Sequence, residues 1–281
     1  GSVWSRLGAE VTICEALTEF LPNADDAVSK EALKVFSKQG LNIHLGTEVE
    51  SIELVKNHVR IALSNKEIGD LEVDKVIFAV GRKPASEGLF GPNLGIELED
   101  QGFVKVNEFC QTNVPNIYAI GDLVRGPMLA HKASEEGIMV AEKIAGNNSN
   151  INYKNIPFVI YTHPEIAWAG YSEKSALKKD IQVQVGTFPF RANARALTSN
   201  EGSGFVKVVV NQENDSIIGV HVLGPSAADV VQQGLIAMES NLTSEQLGSI
   251  MFSHPTVSEA LHEAVLSSKG KAIHLNNRKR K

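Results

Sequence analysis

The chain has 281 residues, of which 43% are hydrophobic and 21% charged, with a formal net charge of −6 at pH 7. That balance excludes an intrinsically disordered chain and leaves room for about two domains of ordinary size. The acidic excess gives no reason to expect a nucleic-acid partner, and no apolar run reaches the length of a membrane span.

Two cysteines, Cys14 and Cys110, lie far apart. They form neither a CxxC nor a CxxxxC pair, and no metal-ligand cluster accompanies them. Both read as small buried residues, and their scarcity fits a reducing compartment. No secretory leader pattern is visible.

Residues 1–8 read as the end of a helix, with Gly8 as its stop. Val11-Thr12-Ile13-Cys14 is a short apolar strand ending at Glu15. In a dinucleotide-binding fold, an acid at the end of the second strand hydrogen-bonds the adenosine ribose hydroxyls. Taken alone that signal is weak, because acids are common at strand ends. The Gly-rich turn expected before such a helix is not in this sequence, so the chain reads as starting inside a Rossmann unit.

Residues 25–39 have helical periodicity, with Ala27, Leu33, Val35 and Phe36 among the apolar positions and Gly40 as the stop. Residues 41–45, 49–54 and 58–63 are strand-like, and 65–70 is a polar turn. Residues 73–80 form an apolar run read as a strand that enters Gly81-Arg82-Lys83-Pro84. Asn116-Ile117-Tyr118-Ala119-Ile120-Gly121-Asp122 reads as a strand ending in Gly-Asp, where Gly121 permits close backbone approach. Met128-Leu129-Ala130-His131-Lys132-Ala133 opens a helix running to about Ala145, with amides and a positive dipole end at its N-terminus.

After a polar stretch, 147–153, the pattern changes. Residues 158–161, 183–188, 204–210 and 217–222 read as strands of one sheet. Helices are expected at 173–179, 227–240, 244–251 and from about Thr256, giving an α+β domain. Tyr161-Thr162-His163-Pro164-Glu165 is assigned a structural role. Arg278-Lys279-Arg280-Lys281 reads as a solvated basic tail.

Ser253-His254-Pro255-Thr256-Val257-Ser258-Glu259-Ala260 pairs an imidazole with a carboxylate at short range. Neutral imidazole accepts a proton near pH 7, and a carboxylate on its other nitrogen fixes the tautomer and supports the cation. Spacing alone leaves a second reading open: Thr256 and Glu259 also stand at capping-box distance, so the acid would only close a helix start.

With Glu263 and Ala264, the run HPTVSEALHEA resembles the C-terminal signature of the dihydrolipoamide dehydrogenases, flavoprotein disulfide reductases. GSVWSRLGAEVT followed by an acid is similar to their NAD domain, and T-x-x-P-x-I-Y-A-I-G-D to the strand of two-dinucleotide flavoproteins. The resemblance covers nearly the whole chain, as far as Ile273. It implies α/β and α+β architecture in three parts: a partial Rossmann-type NAD-binding domain at 1–83, a central portion completing the FAD domain at 84–152, and an interface or dimerisation domain at 153–281.

The resemblance implies that His254 is the acid-base catalyst and Glu259 its orienting partner, serving the flavin of the other subunit. Glu15, Val49 and Gly81 match the NAD contacts. Gly121, Asp122, Met128, Leu129, Ala130 and His131 match the FAD contacts. The implied cofactors are FAD and NAD. The implied partners are a second copy and the lipoyl domains and core of 2-oxoacid dehydrogenase complexes, in the cytoplasm, or the mitochondrial matrix in a eukaryote.

The redox CxxxxC pair and first Gly-rich phosphate loop of that family are not in this sequence, so the chain alone is expected to lack the redox centre. Glutathione and mercuric reductases are alternatives within the superfamily. Against them, Glu15 is followed by Ala16 and Leu17 rather than basic residues, and no cysteine follows Cys110. A dimerising, dinucleotide-binding fragment without turnover is the alternative of a different class.

Overall fold

In the computed structural model, which describes residues 1–277, the chain opens as a βαβ unit. Helix α1 (Ser2–Arg6) leads to strand β1 (Val11–Glu15), helix α2 (Asp26–Lys38) and strand β2 (Leu41–Leu45). The two strands are parallel, in register from Val11↔Leu41 to Glu15↔Leu45. Helix α2 starts because the Asp25 side chain accepts the Ala27 amide at 3.0 Å. Its buried positions are Val28, Ala32 and Phe36, four residues apart on one face; Ala27, expected among the apolar positions, is exposed. An antiparallel meander follows: β3 (Val49–Val55), β4 (His58–Leu63) and β5 (Leu71–Val73).

The strand expected over 73–80 is not formed. Only Leu71–Val73 pairs, as β5 against β4, and the apolar run beyond has no strand partner among the described residues. A strand exists only where a neighbour takes its hydrogen bonds. Without one, Ile77, Phe78 and Val80 stand 70%, 70% and 92% exposed.

The contacts divide the chain into two units, Gly1–Val76 with the chain from Pro157 onward, and Ile77–Ile156. The second unit is mostly irregular. The strand expected at 116–120 shrinks to one bridge, Gln111↔Tyr118, because Asn116 takes a left-handed turn conformation (φ 64°). Val104, Ala119 and Val124 form its small core, with Phe90, Ile96, Val106 and Leu123 packed around them. A 3-10 turn at Gly121–Leu123 precedes α3 (Ala130–Ile144), which ends at Ala145 and Gly146.

Returning to the first unit, β6 (Phe158–Ile160), β7 (Glu165–Gly170), α4 (Glu173–Leu177), β8 (Val183–Pro189), α5 (Ala194–Thr198), β9 (Phe205–Asn211) and β10 (Ile217–Gly224) precede α6 (Ala227–Glu239), α7 (Ser244–Gly248) and α8 (Glu259–Ser268). The sheet has five antiparallel strands in the order β6-β7-β10-β9-β8, with β7 added to the four expected from sequence.

Period-two alternation assigns its faces. Ala167, Ala169, Val206, Val208, Val220 and Val222 enter one core with residues of α6 and α8. Ile166, Leu223, Trp168 and Phe205 enter the other with Val28, Ala32 and Phe36 of α2. Both faces are covered, which is why β9 is apolar on both faces apart from Lys207. Helix α8 crosses β8 so closely that a Cβ at Gly186 would fall 1.9 Å from the Ala264 carbonyl oxygen.

One charged side chain interrupts the α2-facing side. Lys207 Nζ lies 2.8 Å from both carboxylate oxygens of Asp25 and 3.0 Å from Glu173 Oε2. Its cross-strand neighbour is His221, which is buried, with Nε2 2.9 Å from the Tyr171 carbonyl oxygen. The acid that caps α2 is therefore the same acid that ties the βαβ unit to the sheet.

Candidate functional site

His254 lies in the loop between α7 and α8, and Glu259 is the first residue of α8. The His254 Nδ1 to Glu259 Oε1 distance is 2.9 Å. The other oxygen, Oε2, accepts the Thr256 amide at 2.8 Å. Thr256 does not complete a capping box, because its hydroxyl donates to the Ser253 carbonyl at 2.8 Å. One helix earlier the chain builds a full box: Thr243 Oγ1 accepts the Gln246 amide, and Gln246 Oε1 accepts the Thr243 amide. At α8 the carboxylate divides its oxygens between a backbone amide and the imidazole.

This division has an electrostatic consequence. Burial pushes the Glu259 carboxyl up, but the Thr256 amide and then the His254 ring outweigh it and hold the group below its ordinary value. The acid is thus a carboxylate across neutral pH, with the Nδ1 proton of the ring directed to it and the Nε2 lone pair left to act. The His254 side chain is 67% exposed, so an incoming group reaches that lone pair.

The loop holding the dyad is fixed from three sides by residues that carry no signal in the sequence. Asn193, the N-cap of α5, donates from Nδ2 to the Thr256 carbonyl at 3.0 Å. Gln233 of α6 donates to Ser258 Oγ at 2.8 Å. Phe252 stacks on His262 at 4.8 Å between ring centroids, and His262 Nε2 bonds the Gly248 carbonyl.

The residues matched to nucleotide contacts fall in separate places. Glu15 ends β1 half-buried, and its Oε1 accepts the Leu17 amide at 2.8 Å. The Thr47 amide donates to the Glu15 carbonyl, two residues before Val49. Val49 opens β3 and is 45% exposed.

In the second unit, Gly81 is exposed with φ 121°, a conformation open to glycine. The next residue, Arg82, donates to the Met128 carbonyl at 2.8 Å, so the segment after Gly81 is held on the start of α3. Gly121 has φ 69°, and a Cβ there would come 3.0 Å from Ala133 Cβ. Asp122 beside it is exposed. Leu129 is the N-cap of α3 and supplies no side-chain cap, and the first turn carries no acid. Met128 and Leu129 are half-buried there, and Ala130 and His131 exposed.

Comparison with known proteins gives these segments a family. The pyridine nucleotide-disulphide oxidoreductase profile matches residues 1–137, and the dimerisation-domain profile of the same oxidoreductases matches 156–265. The chain belongs to the pyridine nucleotide-disulphide oxidoreductase family.

Within that family it is 44% identical to the dihydrolipoyl dehydrogenase of Cupriavidus necator, over 95% of this chain and 57% of the relative. It is 42% identical to the dihydrolipoamide dehydrogenase of Chaetomium thermophilum, over 97% and 55%. Among solved structures, the HOCl-induced flavoprotein disulfide reductase RclA from Escherichia coli matches with a TM-score of 0.87 at 27% identity, over 94% of this chain and 60% of that one. The chain thus spans just over half the length of these relatives. No helix among the described residues is long and apolar enough to cross a membrane.

Two further His–Glu and Lys–Glu pairs are absent from the sequence-derived candidates. Glu263, buried on α8, holds His274 Nδ1 at 2.9 Å and accepts the Ile273 and His274 amides, fastening the segment after α8. Lys132 and Glu136 of α3 form a buried pair beside Gly121. Their i, i+4 spacing is the only signal the sequence holds, and on a helix that spacing usually marks a solvated pair.

Proposed function

We propose that this chain is the C-terminal portion of a dihydrolipoamide dehydrogenase, which oxidises protein-bound dihydrolipoamide with NAD. The observation that carries the reading is the His254–Glu259 pair, with one ring nitrogen on an ionised carboxylate and the other side of the ring exposed. His254 Nε2 takes the proton of a substrate thiol, because the thiolate is the species that attacks a disulfide. Glu259 stays charged and supports the imidazolium that results. The flavin, when bound, carries the two electrons from dithiol to nicotinamide.

The three-part division at 1–83, 84–152 and 153–281 belongs to this reading. The central part fits FAD through the exposed carboxylate of Asp122 and the amides opening α3, with Met128 to His131 beside it. The first part fits NAD through Glu15 and Val49, and Gly81 is assigned to the same nucleotide by the family resemblance alone. Lipoyl domains and the core of a 2-oxoacid dehydrogenase complex are the partners that follow, with a cytoplasmic setting, or the mitochondrial matrix in a eukaryote.

Glu15 gives the reading a test at the nucleotide. A carboxylate at a strand end accepts from ribose hydroxyls and repels a 2′-phosphate. In the holoenzyme, dihydrolipoamide oxidation is expected to prefer NAD to NADP, and Glu15→Ala to narrow that preference. Equal rates with the two nucleotides in the unmutated enzyme contradict the assignment.

Assembly gives a second test. Ile236 on α6 is 59% exposed, and Ile250 and Met251, leading into the His254 loop, are 47% and 95% exposed. Exposed apolar side chains on α6 and on the segment leading into the His254 loop suit an isologous contact. Light scattering at micromolar concentration is expected to give a dimer. A clean monomer in a folded sample contradicts a base that serves the other subunit.

A further inference from the structure

Lys132 and Glu136 are both buried, each side chain 1% exposed. Lys132 Nζ is 3.0 Å from Glu136 Oε1 and 3.1 Å from Oε2. It also donates to the Gly121 carbonyl at 3.1 Å. Glu136 Oε2 accepts the Gly121 amide at 2.7 Å, and Oε1 accepts the Tyr153 hydroxyl at 3.1 Å. The ion pair closes on both backbone polar groups of one residue. The two glycines beside it are closely packed. A Cβ at Gly126 would meet Lys132 Cε at 2.9 Å, and one at Gly121 would meet Ala133 Cβ at 3.0 Å.

Stability is a poor explanation for such a pair. A dry ion pair seldom outperforms apolar residues of the same shape, because desolvation of the two charges offsets their attraction. What this pair does that leucine and methionine cannot is fix the direction of a peptide. Gly121 belongs to a three-residue turn with no ladder to hold it, and Asp122 follows directly.

We propose that Lys132 and Glu136 are positioning residues for the flavin. Their pair locks the Gly121–Asp122 turn to the first turn of α3, so that the Asp122 carboxylate and the helix amides are presented to one cofactor in fixed relation. The inference rests on the flavin reading given above for those two segments. Tyr153 holds the second oxygen of Glu136 and completes its hydrogen bonding. Both side chains are buried, so they act through the Gly121 peptide and not by contact with a cofactor.

The double variant Lys132→Met/Glu136→Leu separates positioning from stability. An apolar pair of similar volume is expected to leave the thermal midpoint of the flavin-free protein close to the parent's. Gly121 loses its two side-chain partners, so the dissociation constant for FAD should rise by about tenfold or more. Equal FAD affinity at matched stability overturns the proposal while leaving the flavin reading intact. A parent protein that takes up no FAD overturns it through the reading on which it rests.

Amide exchange of the unmodified chain without FAD keeps the test alive if the variant fails to fold. The Gly121 amide is expected to be as protected as that of Met139 in the middle of α3. Exchange as fast as in an open turn means that the lock is not formed, and the proposal falls.

Discussion

His254→Gln is expected to lower dihydrolipoamide oxidation by the holoenzyme by about 10²- to 10⁴-fold, the usual worth of a positioned general acid-base. Glutamine fills much of the same space but neither takes nor gives a proton near neutral pH. Glu259→Gln should cost less, because the imidazole remains. It should still cost something measurable. Glu259 uses one oxygen for the ring and one for the Thr256 amide, and glutamine has a single oxygen to offer two donors. One donor is left facing an NH₂ group, and the ring loses the charge that supports its cation. A pure helix-capping role predicts a silent Glu259→Gln, since glutamine serves in a capping box. Steady-state kinetics on folded dimers of matched flavin content decide between these outcomes.

The second large effect is on folding. Lys207→Met leaves the Asp25 carboxylate, 2% exposed as a side chain, without its cation. Breaking one side of a buried pair costs about 3 to 5 kcal/mol, because an uncompensated charge stays inside. Adding Asp25→Asn should restore most of that loss, since asparagine still caps α2 and carries no charge. Denaturant unfolding of the two variants checks the prediction; a Lys207→Met protein as stable as the parent contradicts it.

The same cluster sets the acid limit. Burial raises the Asp25 carboxyl, but the Lys207 hydrogen bond and charge, with further help from His221 and the Ala27 amide, bring it below its ordinary value. A depressed carboxyl contributes stability that is present above its unfolded pKa and lost as pH falls through the folded one. Burial also depresses His221, against the pull of Asp25. The unfolded chain then binds that proton first, so stability begins to fall below about pH 6.5. Asp25 adds its own loss below about pH 4. Unfolding free energy measured against pH should show both steps, and His221→Gln should remove the upper one.

Local pattern carried much of this structure. The apolar strand ending at Glu15, the four-residue spacing in α2 and the turn glycine after it are short-range features, and they form where expected. The His254–Glu259 contact was legible for the same reason, since five residues separate the partners. Strand β7 escaped notice because Ala167, Ala169 and Gly170 have low strand propensity, and only its neighbours β6 and β10 hold it. Helix α5 has five residues, too few to show a period. The run at 73–80 misled in the other direction: its composition is that of a strand, but pairing is a property of the neighbour.

Charged residues were the least legible. Hydropathy places lysine and glutamate at the surface, whereas Lys132, Glu136 and Lys207 are buried. The partner of Lys207 lies 182 residues away in sequence. The acid capping α2 announced a helix start, and nothing near it announced a lysine.

The central claim is that His254 moves the proton of a dithiol. The measurement that tests it most directly compares two activities of one His254→Gln holoenzyme: oxidation of dihydrolipoamide by NAD, and electron transfer from NADH to an artificial acceptor that needs no dithiol. The first is expected to fall by about 100-fold or more while the second stays at the parent's rate. Dihydrolipoamide oxidation retained near the parent's rate, or both activities lost together at matched flavin content, contradicts the assignment.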